Sequence, residues 1–237
     1  MSRSLEGPWL CPPNDTFDGR AFYAAKTAGV GRKRFIFGWL PTRSGDKDDG
    51  AWQWGGNLVV HELAQQPDGT LTVRLPKTIL PQFTRAMMLD TRRVLGEWST
   101  TRNGIFAPAA GRHSVMFLGR MPNQCFIRTA IVFRKWTEAA GLVLRADDKY
   151  DRYYQLRLEP ANQRIVFDRW PRPGDQPFMI ERPLAMHPGP PVELQVLVDG
   201  SCLVAYANDQ VALSCRMYDH QAGSLGLFVT NGEATFQ

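Results

Sequence analysis

Residues Ser201–Arg216, SCLVAYANDQVALSCR, read as two strands of alternating side chains joined at Asn208-Asp209. Both turn residues tolerate left-handed backbone, which a two-residue hairpin loop demands. Closing the loop with Ala207 opposite Gln210 sets Tyr206 against Val211, Val204 against Leu213 and Cys202 against Cys215, all on one apolar face. On that count the two cysteines fall at a non-hydrogen-bonded pair, where Cα atoms approach to about 4.5 Å. The spacing admits a Cys202–Cys215 cross-strand disulfide or two buried free thiols, cysteine being a common small core side chain.

The same period of two runs outward from this hairpin. VELQVLVDG buries Leu194, Val196 and Val198; YYQLRLE turns Tyr154, Leu156 and Leu158 inward and Gln155, Arg157 and Glu159 outward. AGLVLRADD sets Leu142 and Leu144 on one side and Val143 and Arg145 on the other, and GSLGLFVTNGEATF supplies two closing strands. Short alternating segments separated by Gly, Pro, Asn and Asp describe an all-β antiparallel sandwich with solvated outer faces from about Pro81 onward. FTRAMMLDTRRVLGEW has no clean period, which leaves helix and strand both open for it. Before Pro81, RAFYAAKTAG, KRFIFGWLPTR, GNLVVHELAQQ and LTVRLP form a set of short strand-like units, the strand count of one propeller blade.

Composition excludes several functions. With 237 residues, 43% of them hydrophobic and 11% aromatic, the chain can bury a substantial core. The formal charge of +5 is spread among acidic residues, so no concentrated basic face for nucleic acid is expected. No apolar run reaches the ~20 residues of a membrane span, and the N-terminus lacks a secretory h-region; a cytoplasmic protein is the expectation if Met1 is the natural start. Cys11, Cys125, Cys202 and Cys215 have no metal-ligand spacing, so no metal and no organic cofactor are expected. His61, His113, His187 and His220 do not group with a nucleophilic elbow.

FDGRAFYAAKTAGVGRKRFIFGWLPTR followed by WQWGGNLVVHELAQQPDGTLTVRLP resembles the last propeller blade of glycoside hydrolase family 32, the invertase, levanase and inulinase enzymes. VLVDGSCLVAYANDQVALSCRMY and GSLGLFVTNGEATF resemble that family's C-terminal sandwich. The resemblance implies an antiparallel β-sandwich preceded by strands of one blade of a five-bladed β-propeller, with residues 1–80 as the partial propeller and 81–237 as the sandwich. The chain departs from the family pattern at Ala21, Lys26, His61 and Val204, where aspartate, glutamine, arginine and glutamate are usual.

The family cleaves fructosyl bonds by retention, with a carboxylate nucleophile and a carboxylic acid about 5–5.5 Å apart. Its Trp-Met-Asn-Asp-Pro-Asn-Gly, Arg-Asp-Pro and Glu-Cys motifs do not occur in this sequence. The expectation is a C-terminal portion of a longer hydrolase, inactive alone, with no catalytic residue of its own. Its expected partners are the remaining blades and a fructoside-type glycan; a stand-alone carbohydrate-binding module is the alternative.

DGAWQWGG carries the substrate-binding candidates. By analogy with the family, Tyr23 and Trp54 point toward the propeller's axial pocket, as flanking walls for a sugar ring or as core. Asp48, with Asp46 and Asp49, sits beside Trp52 and Trp54 in sequence, and carboxylates next to aromatics can hold glycans; a solvated loop beside packing tryptophans is the alternative. Glu62, inside an apolar strand, is expected to be a hydrogen-bonded structural carboxylate. A lone blade would leave apolar faces that dock on the sandwich or self-associate into a homo-oligomer.

Overall fold

The computed structural model describes residues 2, 4–12, 16–172, 174–175 and 179–237. Strands β1 (Tyr23–Val30), β2 (Lys33–Arg43), β3 (Trp52–Gln65) and β4 (Leu71–Arg74) form a four-stranded antiparallel meander in sequence order. Gly56 permits the close approach of β3 to β2, since a Cβ there would lie 2.0 Å from the Leu40 carbonyl oxygen. The remainder builds two seven-stranded sheets. It contains β5 (Arg93–Leu95), β6 (Ser99–Thr101), β7 (Gly104–Pro108), β8 (His113–Arg120), β9 (Gln124–Phe133), β10 (Ala139–Ala146) and β11 (Tyr153–Glu159). It continues with β12 (Arg164–Trp170), β13 (Ile180–Pro183), β14 (Val192–Asp199), β15 (Cys202–Ala207), β16 (Val211–Arg216), β17 (Ser224–Thr230) and β18 (Glu233–Phe236). One sheet runs β13-β12-β11-β10-β17-β8-β5 and the other β16-β15-β14-β9-β18-β7-β6, all pairs antiparallel. The segment Thr84–Arg92 is an exposed non-helical connection, and only Arg93–Leu95 beyond it pairs as a strand.

Leu156, Leu158, Tyr154, Leu194 and Val196 are fully buried, as their alternation predicts. The outer face departs from expectation. All of β10 is buried, because Val143, Ala139, Val115, Phe117 and Phe228 form a second apolar cluster roofed by Leu95, Tyr150 and Tyr153. Tyr150 and Tyr153 stack with ring centroids 4.2 Å apart, which turns an expected wet surface into a small core. Arg157 and Glu159 are also buried rather than solvated, and they satisfy each other. Arg157 donates to Glu159 (2.6 Å) and Asp168 (2.7 Å), and Arg164 donates to Glu159 (2.6 Å).

Burial pushes the Glu159 carboxyl up, but Arg157, Asn162 and Arg164 outweigh it and hold the pKa below the ordinary 4.5. A depressed carboxylate stabilises the fold above its unfolded pKa and loses that contribution as pH falls through the folded value. Glu159→Gln is therefore expected to cost about 2 kcal/mol at neutral pH, by weakening the hydrogen bonds of two guanidinium groups that each keep one carboxylate partner, Asp168 for Arg157 and Glu181 for Arg164. The difference in urea midpoint between the two proteins should shrink as pH drops below the ordinary glutamate range; a pH-independent gap would place the cost in packing.

The opening hairpin is shifted by one residue. Asn208 and Asp209 have φ of 53° and 51°, and the Gln210 N–H closes the turn on the Ala207 carbonyl at 2.9 Å. The Gln210 carbonyl, however, turns away and accepts the Val73 N–H of β4 at 3.3 Å. Gln210 thus bulges out of the ladder, and Ala207 pairs with Val211, Leu203 with Cys215 and Cys202 with Arg216. Cys202 and Cys215 lie on opposite faces as buried free thiols, so the alternative of a cross-strand disulfide is corrected.

Both faces of this hairpin are buried. The four-stranded sheet lays Ile36, Leu40, Val59 and Val73 against the sandwich in one continuous apolar cluster that includes Val204, Tyr206 and Ala212. The edge of β16 is closed by the N-terminal segment, whose Phe17 carbonyl accepts the Ala212 N–H at 3.0 Å. An open edge is thereby removed.

Candidate functional site

The face of the four-stranded sheet turned away from the sandwich is aromatic. Antiparallel pairing sets Tyr23 opposite Trp39 and Trp39 opposite Leu58. The Tyr23 ring lies 5.7 Å from Trp39 and meets Trp54 edge-on at 5.9 Å. Trp54 is 85% exposed, Leu58 70% and Tyr23 48%. A surface of this kind can stack on the apolar face of a sugar ring or pack against a neighbouring sheet. Trp52 is engaged differently, with the Arg43 guanidinium 3.7 Å above its ring.

Asp48 is not part of that surface. It is 3% exposed and plugs into the sandwich, accepting from Tyr154 Oη (2.6 Å) and the Tyr218 N–H (2.8 Å). Its own N–H donates to Asp219 (3.2 Å), and Arg169, which pairs with Asp219, lies 3.9 Å from its carboxylate. Burial raises the Asp48 pKa against the opposing pull of Tyr154, Tyr218 and Arg169. The loop is bolted to the sandwich at Asp48, while Asp46 and Asp49 remain exposed. Of the tryptophans adjacent to it in sequence, Trp54 lies on the outward aromatic surface, whereas Trp52 lies with Arg43 beside Ile180, Cys215 and Arg216 of the sandwich. Glu62 is buried and accepts from Arg74 at 2.7 Å, with Lys33 at 3.7 Å. Burial pushes its pKa up, but these cations hold the carboxyl below its ordinary range, the reverse of what a general acid needs.

A buried polar cluster at the junction of the two parts was not legible in the sequence. Asp18 accepts the Ser214 N–H (2.6 Å), the Gly19 N–H (2.5 Å), the Ser214 hydroxyl and His61 Nε2 (3.0 Å). His61 Nδ1 lies 2.8 Å from the Tyr206 hydroxyl. His61 is fully buried, and its partners come from the N-terminal segment and the hairpin, so no local motif could announce them. Among the described residues no group of three His, Cys, Asp or Glu side chains is arranged to hold a metal ion.

A family model described as glycosyl hydrolases family 32 C terminal matches residues 113–237. No curated protein matches the sequence. Among solved structures, an exo-inulinase from Aspergillus awamori superposes with a TM-score of 0.60 at 18% identity, over 92% of this chain and 43% of that one. A fructan 1-exohydrolase IIa from Cichorium intybus, in complex with 1-kestose, gives 0.60 at 14% identity, over 93% of this chain and 48% of that one. The carbohydrate-binding module CBM66 from Bacillus subtilis gives 0.53 at 16% identity, over 61% of this chain and 91% of the module. At these identities the likeness is one of fold. The chain spans less than half the length of the two enzymes.

Proposed function

The chain belongs to the glycosyl hydrolases family 32 C-terminal family, and from that premise we propose that it is the supporting part of a hydrolase acting on fructosyl linkages. In this reading residues 1–80 are the last propeller blade and residues 81–237 the sandwich that steadies it. The nucleophile and acid/base are encoded outside these residues, since none of the family's three carboxylate motifs is in the sequence. The observation that carries the proposal is the two-faced four-stranded sheet. One face is fused to the sandwich through a shared core, and the other presents Tyr23, Trp39, Trp54 and Leu58 without a covering layer among the described residues. A neighbouring blade of the parent chain fits that face, with Tyr23 and Trp54 at the edge of the sugar pocket.

The purified chain is expected to release no fructose from sucrose, inulin or levan. Turnover that disappears in Glu62→Gln would overturn the proposal. In a parent hydrolase carrying these residues, Trp54→Ala is expected to raise KM about tenfold while costing no more than about 1 kcal/mol of stability, because at the edge of the pocket the ring faces the sugar more than the neighbouring blade. A large stability loss with unchanged KM would make Trp54 a packing residue instead. The second reading, a stand-alone carbohydrate-binding module, is favoured by the fold it shares with CBM66, of which it covers 91%. Size-exclusion chromatography would separate the two: a module runs as a monomer with its aromatic face in solvent, whereas a chain without its neighbouring blade self-associates through that face.

A further inference from the structure

The sandwich contains a polar cleft that the support role does not use. It has a volume of about 150 Å³ and is lined by Arg145, Asp147, Arg152, Asp219, His220 and Gln221. Its floor is a bulge in β10, where pairing to β17 breaks between Val143 and Ala146 and Arg145 takes a left-handed φ of 54°. A non-glycine residue in that region is strained, and such strain persists only where the surroundings enforce it. Gly223 presses on the bulge so closely that a Cβ there would lie 2.3 Å from the Arg145 carbonyl carbon. The Arg145 guanidinium is itself buried and anchored by the carbonyls of Met217 (3.2 Å), His220 (3.3 Å) and Gly200.

The chemistry of the wall selects the ligand class. Arg145 and Arg152 supply donors, Asp147 and Asp219 supply acceptors, and Gln221 supplies both. The four charged side chains of the lining, Arg145, Arg152, Asp147 and Asp219, sum to zero, so the wall carries no net charge to select an ion. Burial holds the His220 pKa below its ordinary value and keeps the ring neutral. Its Nε2 lies 3.0 Å from the Trp170 carbonyl and must donate to it, which leaves Nδ1 as an acceptor. An anion would meet two carboxylates, a cation two guanidinium groups, and an apolar molecule would strand all of them unpaired. Alternating donors and acceptors around a small concave wall suit vicinal hydroxyls. A cavity of about 150 Å³ holds one six-membered ring, not a chain of them.

We infer that this cleft binds a single neutral sugar ring, giving the sandwich a carbohydrate site separate from the aromatic face of the four-stranded sheet. The inference rests on the carbohydrate-linked reading above and adds a second point of contact to it. The site holds a terminal sugar, with Arg145 fixed as a preorganised donor and the Asp147, Arg152 and Gln221 rim closing over the hydroxyls.

The test is titration of the 237-residue chain with methyl fructofuranoside, methyl glucopyranoside, glucuronate and glucose 6-phosphate, read by calorimetry and by NMR of the His220 ring nitrogens. One of the neutral glycosides is expected to bind and to shift the His220 Nδ1 resonance. Gln221→Ala and Arg152→Ala are each expected to weaken it about tenfold, the effect of removing a hydrogen-bonding partner, with the melting temperature unchanged. No binding of either neutral glycoside up to about 50 mM, or tighter binding of the charged sugars, overturns the inference. Binding that survives both cleft variants but is lost in Trp54→Ala overturns it too, and leaves the support role standing.

Discussion

Arg216→Met is expected to destabilise the protein by about 3–5 kcal/mol, the scale of leaving several buried acceptors without their donor. The side chain is 4% exposed and crosses from β16 into the four-stranded sheet. Its Nη2 donates to the Leu40 carbonyl at 2.6 Å and to Asn57 at 2.8 Å, and its Nε donates to the Pro41 carbonyl at 3.1 Å. Nη1 holds Ser201 and Cys202 on its own side, at 3.1 and 2.8 Å. Methionine fills most of the volume but leaves two buried carbonyls facing an apolar chain, and each orphaned group costs about 1–3 kcal/mol. Arg216→Lys should recover little, because one ammonium cannot span acceptors that a planar guanidinium reaches together. The damage is local in origin, so hydrogen exchange should quicken first at amides of β2 and β3 while those of β10 and β11 stay protected. Equal acceleration in all four strands would show that the sheet and the sandwich unfold only together and that the junction has no stability of its own.

The residues behind that prediction also mark where reading the sequence succeeds and where it stops. Period-two alternation placed Tyr154, Leu156, Leu158, Leu194, Val196 and Val198 in the core, because a strand with one buried face writes its burial into every second residue. The hairpin is legible in the sequence, but its register is not. The Gln210 bulge is caused by a hydrogen bond to Val73, a partner from the other sheet that no property of the turn dipeptide encodes. The buried outer face of β10 is illegible for a related reason: Val143 is roofed by Tyr150 from the β10–β11 loop and Tyr153 from the start of β11, and alternation reports a strand's two faces, not what folds over one of them. Asp48 illustrates the same limit at the site. Its sequence neighbours are tryptophans and a solvated loop, whereas its physical neighbours, Tyr154 and Tyr218, lie more than a hundred residues downstream. Tyr23 on β1 and Trp54 on β3, in contrast, do share one exposed surface, because β2 pairs with both strands and carries Trp39 on the same face between them.

His61 was visible in the sequence only as a departure, a histidine where the family has arginine, and its structural meaning leads to the second large expected effect. Asp18→Ala should cost about 3–5 kcal/mol, comparable with Arg216→Met although the residue comes from the N-terminal segment and belongs to no strand. The carboxylate terminates donors from the Ser214 backbone and hydroxyl, the Gly19 backbone and His61, all buried, and alanine removes every acceptor at once. Water cannot replace it without opening the junction between β3 and the β15–β16 hairpin, where the Tyr206 hydroxyl also reaches the Val60 carbonyl at 3.3 Å. Asp18→Asn separates charge from connectivity. Its carbonyl oxygen can still receive the two backbone N–H groups, while its amide nitrogen faces the Ser214 hydroxyl and a His61 ring that accepts by changing tautomer. The asparagine variant should therefore lose about half as much as the alanine variant in denaturant melts, and its His61 ring nitrogens should exchange their NMR signatures. Equal losses in the two variants, with the His61 tautomer unmoved, would mean that the negative charge rather than the hydrogen-bond network holds the N-terminal segment across the edge of β16.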